Sequence, residues 1–376
     1  MIFLDNASTT KVYDKAIEAM DKIYREDYFN PSATYKGGRE ALSHITKARE
    51  TIASYLSVKK DEIYFTSCAT ESNNWVLNNA FKNKKGNIVI SCGEHACVYE
   101  TAKNLASKGL DVRFAPINED GTVNVAELLK LVDDKTNLVS VIHVSNETGV
   151  INDLATISKK VKSKSPKTLI HSDGVQAFMK TNTNLMRLGV DFYSISGHKI
   201  GAPKGVGVLF IKSGIHIAPY IYGGGQEKNM RSGTENVAGI SALGVASQCY
   251  KELYNLTTIE ANYNLLLSEI KSIDGVEIIG NTENNSKLIV CASINGVRAE
   301  TLQSIMADSG VYIGRGSACS SAHSGNRVLS AMGIPDSKIA GAIRISLSPQ
   351  TTQEEIITAT NVLKENINKL RGYQIG

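Results

Sequence analysis

Between about residues 60 and 212, short apolar runs rich in β-branched and aromatic residues alternate with stretches of helical periodicity. The runs are EIYFTS (62–67), NIVISC (87–92), VRFAPI (112–117), LVSVIHV (138–144), TLIHSD (168–173), DFYSIS (191–196) and VGVLFIK (206–212). Most are too apolar to be half-exposed strands, and several of the intervening segments are long enough for helical crossovers. Helical spacing appears in DKAIEAMDKIY, REALSHITKARETIASYL, ESNNWVLNNAF, CVYETAKNLASK and DLATISKKVKSK. The pattern predicts an α/β fold: a mainly parallel seven-stranded sheet flanked by helices on both faces. After about residue 250 the pattern changes. A long helical stretch, LTTIEANYNLLLSEIKSI, leads to shorter strands (VEIIG, KLIVCASI, VYIG, AIRISL) mixed with helices, which predicts a smaller α+β domain joined through a helical junction.

A chain of 376 residues suits two domains, or one large α/β unit with a satellite. No apolar run approaches the roughly 18 residues of a spanning helix, so no membrane partner is expected. With 41 Lys+Arg against 37 Asp+Glu, the net charge of +4 is too small and too spread for a nucleic-acid surface. The N-terminus MIFLDNASTTKVYDK lacks the basic flank and apolar stretch of a secretory signal, which predicts a cytoplasmic protein. The six cysteines, Cys68, Cys92, Cys97, Cys249, Cys291 and Cys319, lack the paired spacing of a metal site; none is expected.

In an open α/β sheet, ligands bind beyond the carboxyl ends of the strands. After EIYFTS comes CATESNN, a small-residue turn entering a helix whose free N–H groups suit a phosphate. After the next runs come GEHACV, SNETG, GVQ and GHKIGAPKG, so a Glu-His, an Asn-Glu, an Asp-x-x-Gln and a His-Lys converge on one rim. A pyridoxal phosphate enzyme needs a lysine for the Schiff base, a carboxylate at the pyridine nitrogen, a flat group on the ring and donors for the phosphate. Lys199, Asp173, His95 and the Ala69-Thr70 turn meet those needs in turn. Singly, each has a plainer reading: a loop lysine, a helix cap, a polar residue at a domain edge. The segment SGHKIGAPKGVGVLF does not match the nucleotide pattern G-x-x-x-x-G-K-[ST], which disfavours nucleotide binding.

The set NASTT, FTSCATESNN, GEHACV, HVSNETGV, HSDGVQ, SGHKIGAPKGVG, GGGQEKNMRSGTEN, RGSACSS and IRISLS resembles the cysteine desulfurases, fold-type I, class V aminotransferase-like enzymes dependent on pyridoxal 5'-phosphate. The likeness spans essentially the whole chain in the expected order. It implies a large cofactor-binding domain over 12–250, and a small domain of 1–11 plus 251–376 carrying the catalytic cysteine loop. Carried over by position, Lys199 would hold the cofactor covalently and move the substrate α-proton, and Asp173 would pair with the pyridine nitrogen. Gln176 and Asn146 would contact the ring hydroxyl region, and His95 would stack on the ring and assist proton transfer. Ala69, Thr70, Ser196 and His198 would hold the phosphate, with Thr234 contributed by the partner subunit of a homodimer. Asn146 and Arg344 would bind the substrate carboxylate.

The resemblance makes Cys319 the sulfur carrier. It lies in IGRGSACSSAHSGNRVL, rich in Gly, Ser and Ala with few apolar anchors, a composition expected of a mobile surface segment. L-cysteine would yield L-alanine and a Cys319 persulfide for an acceptor protein, either an iron-sulfur scaffold or a tRNA-thiolation enzyme. A selenocysteine lyase or another class V enzyme is the alternative. Three departures stand out: Tyr35 where a His is common, Arg344-Ile-Ser-Leu-Ser348 in place of a motif ending in Gly, and a shorter loop after Cys319.

Overall fold

The computed structural model describes residues 1–81, 85–315 and 326–372. The chain opens with strand β1 (Ile2–Leu4) and helices α1 (Asp14–Arg25) and α2 (Lys36–Leu56). There follow β2 (Ile63–Thr66), α3 (Ala69–Asn78), β3 (Asn87–Ser91), α4 (Ala96–Ser107), β4 (Asp111–Ala115), α5 (Val125–Leu131), β5 (Thr136–Ser140), α6 (Leu154–Lys164), β6 (Leu169–Asp173), α7 (Leu185–Leu188), β7 (Phe192–Ser196) and β8 (Gly207–Ile211). The remainder is α8 (Val237–Leu253), α9 (Leu256–Lys271), β9 (Val276–Ile279), β10 (Ile289–Ile294), α10 (Ala299–Asp308), β11 (Val311–Arg315), α11 (Arg327–Ala331), α12 (Asp336–Ala340), β12 (Ala342–Ser346) and α13 (Gln353–Gly372).

Seven strands form one sheet in the order β2-β8-β7-β6-β5-β3-β4. Neighbours from β4 through β7 are parallel, and β8 runs antiparallel between β2 and β7. The strand period of two sorts the apolar residues onto two faces. Val89, Val139, Ile170, Tyr193 and Phe210 pack with α1, α2, α6 and α8, whereas Ile88, Ile90, Leu138, Phe192 and Leu209 pack with α3 and α4. Every residue of β3, β7 and β8 is buried, as the unbroken apolar runs predict. The second sheet has the order β1-β11-β12-β10-β9, is antiparallel except for β1 against β11, and carries α9, α10 and α13 on its apolar face.

The strand β1 and the long helix α8 are among the elements that carry no periodic signal. The strand β1 is only three residues long, and α8 is buried nearly all round, so no amphipathic stripe marks it. The run 138–144 also ends as a strand at Ser140, short of its apolar limit. Beyond it, Val141 and His143 still donate N–H to the carbonyls of His171 and Asp173. The chain then folds back, with Ser145 N–H on the Val150 carbonyl and the Asn152 amide on the Ile142 carbonyl at 2.8 Å. Asn146 is thereby placed on a turn at the rim of the sheet. Among the described residues, no helix is long and apolar enough to cross a membrane.

Candidate active site

The carboxyl ends of the parallel strands open into a cavity of about 450 Å³. Ten of the residues singled out from sequence line it: Ala69, Thr70, His95, Asn146, Asp173, Gln176, Ser196, His198, Lys199 and Arg344. Thr234 is exposed and does not line it, nor does the exposed Tyr35. Cys319 lies outside the described residues.

Lys199 follows β7 in a single 3₁₀ turn, and its Nζ donates to the carbonyls of Ala7 at 2.6 Å and Ser8 at 2.7 Å. Burial, reinforced by the Arg344 guanidinium, lowers its amine to about 8. Asp173 ends β6, where Oδ2 accepts from the Asn73 amide at 2.7 Å and Oδ1 from the Val175 N–H at 3.0 Å. His95 caps α4: its Nδ1 accepts the Cys97 N–H at 3.2 Å and lies 3.0 Å from the Cys97 thiol. A neutral ring with Nδ1 accepting carries its proton on Nε2. Burial lowers the His95 pKa, which favours that neutral form.

Helices α5, α6, α7, α8, α9 and α11 each begin on an Asn or Asp whose side chain accepts a first-turn N–H. The first residue before α3 is Cys68, which provides no side-chain cap, and that helix end faces the cavity beside Ser196 and His198. An uncapped helix N-terminus suits an anion. Gly207 makes the approach possible, because a Cβ there would lie 2.7 Å from the Cys68 backbone.

Two buried polar atoms at the cavity have no hydrogen-bond partner among the described residues, Asn146 Oδ1 and Arg344 Nε. Arg344 is otherwise held by the Asn146 carbonyl, Asp5 and Ser8 at 2.8–3.0 Å. A buried guanidinium with an open N–H is prepared for a carboxylate. Gln176 donates to the Ala7 carbonyl at 2.8 Å and accepts from the buried Lys180 Nζ at 2.9 Å.

Burial lowers Lys180 to about 7 from the usual lysine value. Between that value and the ordinary one the unfolded chain binds the extra proton, so folding stability rises with pH there. Lys180→Met removes this dependence. Thermal melts are expected to shift in favour of the wild type, relative to the variant, as pH rises from 7 to 9, by at most about 1.4 kcal/mol per unit. An unchanged gap would mean that burial does not lower the Lys180 amine.

Several residues at the cavity carry no motif in the linear pattern. Ala7 and Ser8 come from the N-terminal NASTT stretch and Asp5 directly precedes it; its run of small polar residues was the available signal. Asn73 sits on α3, and Cys97 accepts its amide at 3.1 Å, so this thiol belongs to a polar cluster rather than to packing alone. His95, Cys97 and Asp173 bring ligand-type atoms within 4.8 Å of one another, a grouping that cysteine spacing does not reveal because it draws on separate elements.

The donor set fits pyridoxal phosphate: an amine lowered toward neutrality, a buried carboxylate, a helix-capping imidazole and an open helix end share one cavity. An aminotransferase class-V family profile matches residues 2–358. The chain is 35% identical over 380 residues to cysteine desulfurase IscS of Methanosarcina thermophila, covering 98% of this chain and 93% of the relative. Against cysteine desulfurase IscS of Buchnera aphidicola subsp. Baizongia pistaciae it is 39% identical over 381 residues, with coverage of 98% and 93%. A solved structure described as a NifS-like protein superposes with a TM-score of 0.91 at 37% identity, covering 98% of this chain and 99% of that one.

Proposed function

Because the chain belongs to the aminotransferase class-V family, among the cysteine desulfurases, we propose that it converts L-cysteine to L-alanine and carries the released sulfur as a persulfide on Cys319. The observation that supports this most is the convergence of Lys199, Asp173, His95 and Arg344 on one cavity. Bound there, pyridoxal phosphate supplies the electron sink that labilises the substrate α-proton and then the Cβ–S bond.

The chain's own residues do the rest. Asp173 would pair with the pyridine nitrogen, and the α3 N-terminus with Thr70, Ser196 and His198 would hold the phosphate. Gln176 and Asn146 would contact the ring hydroxyl region. Lys199, lowered to about 8 by burial, has a fraction of free amine near neutral pH and takes the α-proton on Nζ. His95 holds a proton on Nε2 and enters as a donor. Arg344 and Asn146 grip the substrate carboxylate through the unpartnered Nε and its neighbours. The Cys319 thiolate attacks the substrate sulfur: the new S–S bond forms, Cβ–S breaks, and its electron pair returns to Cβ, which is protonated to give alanine.

The same reading includes a homodimer in which Thr234, exposed here, completes the partner's phosphate site. It includes a reducing, cytoplasmic setting, in keeping with the five free cysteines among the described residues. The acceptor is a protein of iron-sulfur assembly or thiolation. The proposed division at residues 12–250 is supported by two apolar clusters, one spanning Ala16 to Tyr250 and another joining Leu4 to residues 259–367, while a smaller one packs Ile117 against residues 279–342.

The direct test incubates the protein with cysteine and pyridoxal phosphate and weighs the Cys319 peptide. One added sulfur is expected; alanine release without it would overturn the sulfur-carrier role. Arg344→Lys keeps the charge but loses the forked donors. KM for cysteine is expected to rise about tenfold, the loss of one charged hydrogen bond, with kcat less affected. Steady-state kinetics measure this split.

A further inference from the structure

A chain of fully buried polar side chains runs from Glu94 to Asp173. Glu94 Oε1 lies 2.9 Å from Ser140 Oγ, which lies 2.8 Å from His171 Nδ1. His171 Nε2 is 3.1 Å from Asn73 Oδ1, and the Asn73 amide nitrogen reaches Asp173 Oδ2 at 2.7 Å. Glu94, Ser140, His171 and Asn73 are each 0% exposed.

Proton counting orients the chain. The Asn73 NH₂ spends one hydrogen on Asp173 and the other on the Cys97 sulfur, so its Oδ1 must accept. His171 therefore carries a hydrogen on Nε2. Burial lowers this imidazole to about 3, so it is neutral and Nδ1 accepts. The Ser140 hydroxyl must then donate to Nδ1, which leaves its oxygen to accept from Glu94. The opposite polarity would aim a His171 lone pair at Asn73 Oδ1, or turn that oxygen against the Asp173 carboxylate.

We propose that Glu94 is a neutral carboxylic acid whose O–H donates to Ser140, and that it acts through His171 and Asn73 as a positioning residue for Asp173. The inference rests on the reading of Asp173 as the partner of the cofactor's pyridine nitrogen. Two further observations support it. Glu94 Oε2 is buried with no hydrogen-bond partner, a costly state for an ionised carboxylate and a tolerable one for an acid. Burial, with the neighbouring Asp173 charge, raises Glu94 to about 8. Hydrogen bonding with Ser140, the Arg327 cation and the Ile142 backbone oppose that rise without cancelling it, and the Arg327 guanidinium donates to the backbone carbonyls of Cys92 and Glu94.

Infrared difference spectra of the holoenzyme at neutral pH, wild type against Glu94→Gln, read the proton directly. A carboxylic-acid C=O band is expected in the wild type and absent from the variant; no lost band overturns the proposal. Glutamine retains a neutral donor to Ser140, so cofactor release followed by absorbance is expected within about twofold of wild type. Ser140→Ala cuts the chain and is expected to release cofactor about tenfold faster, the equivalent of one charge-assisted hydrogen bond. Release from Glu94→Gln as fast as from Ser140→Ala also overturns it. The infrared arm needs only wild type and Glu94→Gln and can be repeated on apoprotein. A failure of the cofactor reading appears separately, as a wild type that binds no pyridoxal phosphate.

Discussion

Cys319→Ala is expected to abolish persulfide formation and reduce sulfide release from cysteine to background, while the protein stays yellow. The two readouts separate because the substitution removes the proposed sulfur-accepting nucleophile and changes none of the described cavity residues. Lys199 still reaches into the cavity, and Asp173 keeps its Asn73 and Val175 donors. The loss amounts to the whole covalent route, in which one difficult displacement is split into two easier ones. Sulfide release by methylene-blue assay, with mass spectrometry of residue 319's peptide, measures it. Unchanged sulfide release would sink the desulfurase assignment. Selenide release from selenocysteine that survives the substitution would identify a lyase, since selenium departs more readily and needs no acceptor thiol.

Lys199→Ala is expected to produce a protein with no covalent cofactor and with turnover reduced at least about 10²–10⁴-fold, the usual contribution of a positioned acid-base group alone. Borohydride should trap cofactor mass on the Lys199 peptide of the wild type and none on the variant. A pH signature accompanies it. With the amine lowered to about 8, roughly a tenth is free base at pH 7 and half at pH 8, whereas an ordinary lysine would be almost wholly protonated. Capture of pyridoxal phosphate by apoprotein should therefore accelerate as pH rises and level off above about 8. A capture rate still climbing steeply at pH 10 would mean that burial does not lower this amine.

Most strand runs were legible because burial on both faces leaves a local mark, an unbroken apolar stretch; the seven runs correspond to the seven strands observed, although the edge strand β4 is only partly buried. His95, Asp173 and Lys199 could be grouped on one rim because parallel strands end on the same side of a sheet. The α8 helix was not legible: a helix buried nearly all round has no polar face to set a period. Nor was the partnership of Lys199 with Ala7 and Ser8, which spans 192 and 191 residues of sequence. Backbone carbonyls carry no residue signature, so no motif could announce them.

The sequence by itself determined the class of fold, the strand ends that bear chemistry and, through resemblance, the cofactor and reaction they serve. These are properties of local pattern and residue type. Only the tertiary structure decided the electrostatics. It buried Lys199 beside Arg344, left Arg344 Nε and Asn146 Oδ1 without partners, and linked Glu94 to Asp173 through Ser140, His171 and Asn73. The physical reason is that protonation and hydrogen-bond polarity depend on which groups meet away from water, and the Glu94-to-Asp173 chain joins the β3–α4 turn, α3, β5 and β6 across long stretches of sequence.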